Sequence, residues 1–418
     1  MRWISIDIVP LLHYGIVSLL VITPSCIESY PVEPRDFDRA MVVEGYFTDE
    51  AKAHKVKLSY TREVGDLNNK PLENAEVWVE GSDGSRIVFS EIRPGYYETD
   101  SSVFGRSGIS YQLRIKLPSG SQYTSSPQRL LDSPPIDSIY HKYKELIVVP
   151  EQPVYPGIQF FVSTHDPFDQ AKHYRYEWEE TYEIRPPFPS IYEFFDDPDT
   201  VYLRREQIHI CYTTEYSNDI ILGSTSSLVN NQLTGLNIRY ITNQTDHLKY
   251  AYSLLVKQYS ISNSAYIFYR NLLDRNENAG SLFDVQLGAL IGNIKSLTNE
   301  EEVVLGMFEV AGTSSQRTFL KFENLDSRFP SPEDKFPCAL GQIDTVIEKG
   351  PPPPYGISDS LAYYVKTRGY EVVEALYCDS TRLIDESCPF YMRALVAPKY
   401  CADCRFRGTT QKPKFWIY

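Results

Sequence analysis

Residues 55–60, KVKLSY, alternate without a break: Val56, Leu58 and Tyr60 fall on one side of an extended chain, and Lys55, Lys57 and Ser59 on the other. A period of two excludes a helical face, where apolar residues recur every third or fourth position. The same period returns in Ala75, Val77 and Val79, and again in Tyr111, Leu113, Ile115 and Leu117. Turn signals separate these runs: Ser82-Asp83-Gly84-Ser85, Arg93-Pro94-Gly95 and Pro118-Ser119-Gly120. About seven short strands with a turn every 8 to 12 residues predict an immunoglobulin-like β-sandwich over residues 38–133.

DSPPIDS, residues 132–138, marks a boundary, and a larger β-rich domain is expected over 134–418. In KHYRYEWEETYEI, Tyr174, Tyr176 and Trp178 share one face, while His173, Arg175, Glu177 and Glu179 take the other. The aromatic stripe is either a ligand platform or core, and strict strand spacing favours core. Residues 263–274 break the β pattern. Ala265, Phe268, Tyr269 and Leu272 recur at helical spacing, with Asn263 placed to cap. SLAYYVKTRGYEVVEALY, residues 360–377, offers a second short helix somewhere within it. The fold class is therefore mainly β, with one or two short helices. Within residues 38–133, PLENAEVWVEG with GYYETD also resembles carboxypeptidase-regulatory-like sandwich domains.

The chain opens with Arg2 and a short apolar run, Ile16 to Ile22, and then Thr23-Pro24-Ser25-Cys26. The run is too short to span a bilayer and has the length of a signal-peptide core. A signal ending at a cysteine is the pattern of a lipoprotein, with residues 1–25 removed, Cys26 lipidated and 26–37 a tether. The rival reading is an ordinary cleaved signal with an incidental cysteine. Both imply export, and exported thiols oxidise.

Six further cysteines remain: Cys211, Cys338, Cys378, Cys388, Cys401 and Cys404. An even set suits a disulfide framework, although six cysteines allow 15 pairings. Cys401 and Cys404 form a C-x-x-C, which also suggests zinc or a redox pair. Zinc needs a second close ligand pair, and no histidine follows His247. A redox pair needs a strand-to-helix setting that RFRGTTQKPKFW does not provide. The expectation is a disulfide-stapled C-terminal lobe, Cys378 to Cys404, with Cys211 paired to Cys338 across the larger domain.

Net charge is −14 and no basic run occurs, so nucleic-acid binding is not expected. Membrane attachment would rest on lipid, not on charge. The chain lacks G-x-S-x-G, S-x-x-K and H-E-x-x-H. His54, His141, His165, His173, His209 and His247 are scattered singly. Asp196, Asp197 and Asp199 form a weak calcium candidate, but the ligand count and glycine turn of a calcium loop are missing, and a solvated loop is the simpler reading. PPPPYG at 351–356 reads as a stiff surface loop or a partner-binding segment. No cofactor is expected.

The segments IESYPVEP, MVVEGYFTDE, VKLSYTREVGDLNNKPLENAEVWVEG, GYYETDSSVFGRSGISYQLRIKLPSGSQYTSSP, LGALIGNIKSLTNEEEVVLGMFEVAG and YCADCRFRGTTQKPKFW follow one another in order. In that order the chain resembles a family of Bacteroidota lipoproteins known as domain of unknown function 4249. The resemblance implies an outer-membrane setting and a role beside a TonB-dependent β-barrel transporter, with no catalytic activity to carry over. The alternatives are a free-standing surface adhesin or structural lipoprotein, and a hydrolase built from dispersed carboxylates.

Overall fold

The computed structural model describes residues 39–62, 70–146, 155–196, 199–278, 290–332, 338–346, 359–377 and 391–418. Cys26, Asp197, Cys378, Cys388 and the 351–356 segment lie outside them. The protein is mainly β, built around one 14-stranded sheet path and a three-stranded sheet packed on it.

The alternating runs are strands, and their apolar faces are buried. Lys55–Tyr60 buries Val56 and Leu58; Glu76–Gly81 buries Val77 and Val79; Ser110–Lys116 buries Tyr111, Leu113 and Ile115. The 82–85 turn joins Glu76–Gly81 to Arg86–Arg93 as a hairpin, with Gly84 at φ 82°, a conformation open to glycine. The strand path curls so that these faces meet in one core, where the rings of Phe47 and Tyr111 lie 4.8 Å apart.

That core also takes residues from far along the chain. Ile294, Val304, Phe308 and Val310 are buried in it. Ile294–Ser296 pairs with Gln122–Ser125, and Val304–Ala311 runs parallel to Met41–Thr48. Parallel neighbours cannot be joined by a tight turn and must come from distant sequence. Gly306 allows the pairing. Its φ is 94°, and a Cβ there would stand 2.0 Å from the Val43 carbonyl oxygen.

Val304–Lys321 is one 18-residue strand. Its first part belongs to the N-terminal core, and its second part, Gly312–Lys321, pairs antiparallel with Ala251–Ser260. Both halves of the molecule therefore share a continuous backbone ladder. Beyond it lie His173–Ile184, then Cys211–Tyr216 and Ile221–Ser224. The three-stranded sheet of Ile136–Leu146, Tyr155–His165 and Gln232–Thr242 covers this half. Tyr174, Tyr176 and Trp178 are core against it, together with Phe160, Ile238 and Tyr252.

The predicted helix is Asn263–Asn278, and Ala265 and Phe268 are buried. Its cap differs from expectation: the Ser262 hydroxyl, not Asn263, accepts from the Ala265 N–H at 3.2 Å. Asp359–Lys366 is the second helix. No helix among the described residues is long and apolar enough to cross a membrane.

The cysteine pairing is corrected. Cys211 bonds to Cys404 and Cys338 to Cys401, not Cys211 to Cys338. The C-x-x-C is split between two bridges. Lys399–Ala402 forms a helical turn that leads into Cys404–Phe406, so the two thiols serve different neighbours. Cys404 secures the tail to the end of the 173–184 strand, where Cys211 pairs with Ile184.

Candidate functional site

The stripe Tyr174, Tyr176, Trp178 continues at the same spacing to Glu180 and Tyr182. Strand periodicity therefore drives a carboxylate into an aromatic core, and Glu180 is fully buried. A charge there needs partners. Arg239, on the facing strand Gln232–Thr242, donates from Nη2 to Oε1 at 2.7 Å and from Nε to Oε2 at 3.2 Å. Tyr252 donates its hydroxyl to Oε2 at 2.8 Å. The Arg239 guanidinium lies 4.5 Å from the Trp178 ring centre.

Two more groups converge at the mouth of this centre. His247 Nδ1 is 3.5 Å from Glu180 Oε1, and Nε2 is 3.8 Å from Glu215 Oε1. Tyr182 stacks on the His247 ring at 4.2 Å and donates its hydroxyl to Glu215 at 2.7 Å. Beside them Arg407 forms an ion pair with Asp246.

The electrostatics follow from burial and pairing. Burial works against the Arg239 charge, but the hydrogen-bonded Glu180 carboxylate outweighs it and holds the guanidinium above its ordinary range. Burial, then the charge of Glu180, pushes the Tyr252 phenol well up, so it stays a proton donor. Burial and the Glu215 carboxylate do the same for Tyr182. Burial lowers Arg407.

Glu180, Glu215 and His247 place their donor atoms within 4.8 Å of one another, a set that could hold a metal ion. The chemistry of that set argues against it. Both Glu180 oxygens are already engaged by Arg239 and Tyr252, and a cation would face the guanidinium. The two carboxylates also approach different nitrogens of His247, where one ion would take a single nitrogen. The arrangement is a polar clamp between sheets.

The other face of the same strand carries a second centre. Glu309, fully buried on the long strand, accepts from Arg175 Nε and Nη2 at 3.0 and 2.8 Å. Arg175 lies 4.3 Å from the Tyr259 ring centre, and Tyr259 donates to Glu177 at 2.9 Å. Burial opposes the Arg175 charge, and Glu309 outweighs it. Among the residues expected on this face, Arg175 and Glu177 join this network, His173 stacks on Tyr266, and Glu179 pairs with Arg317.

Of the other sequence candidates, Asp196 and Asp199 stand opposite each other in the hairpin of Tyr192–Asp196 and Asp199–Leu203. Cys211, Cys338, Cys401 and Cys404 are bridged. Sequence reasoning missed Glu180, Glu215 and His247 as a group, because they lie on three separate segments. One local signal was present: an acid occupying the next position of a buried aromatic stripe.

A family model described as domain of unknown function (DUF4249) matches residues 27–317. The chain belongs to this family. No curated protein matches the chain. The matched span ends inside the long strand Val304–Lys321. It holds both polar centres' main pairs, Glu180 with Arg239 and Arg175 with Glu309, and it excludes Cys338, Cys401 and Cys404. The disulfide-tied tail is thus outside the part of this DUF4249 chain that the family model covers.

Proposed function

We propose that this protein is a non-enzymatic, lipid-anchored outer-membrane protein that serves a TonB-dependent transporter in nutrient uptake. The observation that carries the reading is the segment from Ile16 to Cys26, an apolar core running into small residues and a cysteine. A tether of residues 26–37 then precedes the first strand, Met41–Thr48.

The architecture suits such a role. Val304–Lys321 spans about 55 Å at the usual rise of a strand. Its start lies level with Met41 and its end lies toward the disulfide-tied tail. An anchor at residue 26 would hold the Met41 end of this ladder within reach of the membrane and leave the paired scaffold available to a partner. The buried charges are paired internally, which favours a rigid binding scaffold over a catalytic cleft.

The test is affinity purification of the full-length protein from crosslinked outer membranes, with mass spectrometry of its companions. A stoichiometric β-barrel transporter is the expected result. Its absence across growth conditions that express the protein would refute the transporter role and leave a free-standing surface binder. Cys26→Ala should release the protein from membranes; retention would refute the lipid anchor.

A further inference from the structure

Two loops at one end of the three-stranded sheet expose large apolar side chains. Phe168 is 79% exposed, Leu228 47% and Val229 103%. Such exposure in a stray loop would mean little. These loops are built. The buried Asp166 carboxylate accepts from the backbone N–H of Phe168, Gln170 and Ala171 at 2.7–2.9 Å. Asp169 holds a positive φ of 56° within that turn.

The second loop is clasped to the first. Asp166 N–H donates to the Asn231 carbonyl at 3.0 Å, and Thr225 N–H to the Lys172 carbonyl at 2.9 Å. The Asn231 side chain donates to the Ala171 carbonyl at 2.7 Å and accepts from Thr225. Each apolar residue sits two or three positions from the Asp166–Asn231 clasp. The structure therefore spends ordered hydrogen bonds on holding hydrophobic groups in water, the mark of a preorganised contact.

We infer that the clasped loops insert Phe168, Leu228 and Val229 into the interface of a lipid bilayer. Three observations favour a bilayer over a protein groove. The side chains project outward, and a fluid interface accepts a convex knob without a matching cavity. Three side chains are far fewer than the roughly 20–30 residues a side of a stable protein interface. The surrounding residues Gln170, Ser226, Ser227, Asn230 and Gln232 are polar and uncharged, while the nearby charged groups are occupied: Lys172 pairs with Asp169, His165 bonds to Asp137, and the buried Asp166 carboxylate accepts from three backbone N–H groups. Such a rim suits headgroups without needing anionic lipid, which a −14 chain would repel.

The geometry permits this contact together with the proposed lipid anchor, on which the inference rests for its membrane. The loops adjoin Tyr174, which is level with Ser260 and Gly312, just past the Thr48 pairing with Ala311. They stand about 25 Å along the ladder from Met41. A tether of residues 26–37 reaches up to about 40 Å. Anchor and knob can therefore touch one surface, with the molecule lying along it.

The test labels Val229→Cys with an environment-sensitive fluorophore in the full-length lipidated protein, bound to vesicles of phosphatidylcholine and phosphatidylethanolamine. Flotation reads attachment, and quenching by spin-labelled lipid reads insertion. The expected result is a floating protein whose label blue-shifts and is quenched. Adding Phe168→Asp and Leu228→Asp should abolish the quenching while flotation persists. A floating protein with a water-exposed label would overturn this inference and leave the anchor standing. Protection of the label only in native outer membranes would also overturn it, in favour of a protein contact. A protein that neither floats nor shifts its label would refute both.

Discussion

Arg239 and Glu180 meet across the core as a two-point ion pair, 2.7 and 3.2 Å long, with the guanidinium resting on Trp178. The pair joins the facing sheets at a position where periodicity alone would place another apolar side chain. Its cost is the desolvation of two charges, and its effect is a fixed register between sheets.

Breaking one side of that pair should be severe. Arg239→Ala leaves Glu180 buried and uncompensated, with an expected loss of roughly 3–5 kcal/mol. Arg239→Met combined with Glu180→Leu should recover much of it. Urea denaturation of the three proteins checks this. A double variant no better than Arg239→Ala would contradict the uncompensated-charge account.

The bridges make a covalent prediction. Peptide mapping without reduction should recover Cys211 with Cys404 and Cys338 with Cys401. The first closes a separation of 193 residues, so Cys404→Ser should cost about 5 kcal/mol in the chain-entropy account. A linked Cys401–Cys404 peptide would overturn the pairing.

His54 should make stability fall in mild acid. It is fully buried, its Nε2 lies 3.1 Å from the Val103 carbonyl oxygen, and burial lowers its pKa to about 4. Between pH 6.5 and 4 the unfolded chain binds this proton and the folded one does not. The contribution is therefore complete above pH 6.5 and declines as pH falls toward 4, by up to about 3 kcal/mol. NMR titration of His54 and stability curves of His54→Gln against pH check it. An imidazole titrating near 6.5 in the folded protein would refute it.

Gly306 governs the parallel join. Gly306→Ala adds a Cβ 2.0 Å from the Val43 carbonyl oxygen, at a φ of 94° that strains any other residue. Strand separation and backbone strain together should cost at least about 2 kcal/mol. Amide exchange across Met41–Thr48 should rise at the same time. Unchanged protection there would show that the pairing does not depend on glycine.

Much of the fold was legible locally. Val56, Leu58, Val77, Val79 and Leu113 face a core because alternation requires only that the chain be extended. Tyr174, Tyr176 and Trp178 are core for the same reason, and Ala265 and Phe268 mark the helix by their spacing. The candidate site was legible only as an anomaly, the acid Glu180 in an aromatic stripe. Its partners Arg239, Glu215 and His247 carry no sign in their own segments of where they will meet.

By itself, then, the sequence determined which stretches are strands, which faces they bury, and that the cysteines left after Cys26 are even in number. Tertiary structure decided the pairings: Met41–Thr48 beside Val304–Ala311, Cys211 with Cys404, and Glu180 under Arg239. The reason is physical. Side-chain alternation is written into each strand, since it follows from backbone geometry at that residue. A partner 59 to 263 residues away is chosen by the combined burial and hydrogen bonding of the whole sheet, and no short window of residues contains that sum.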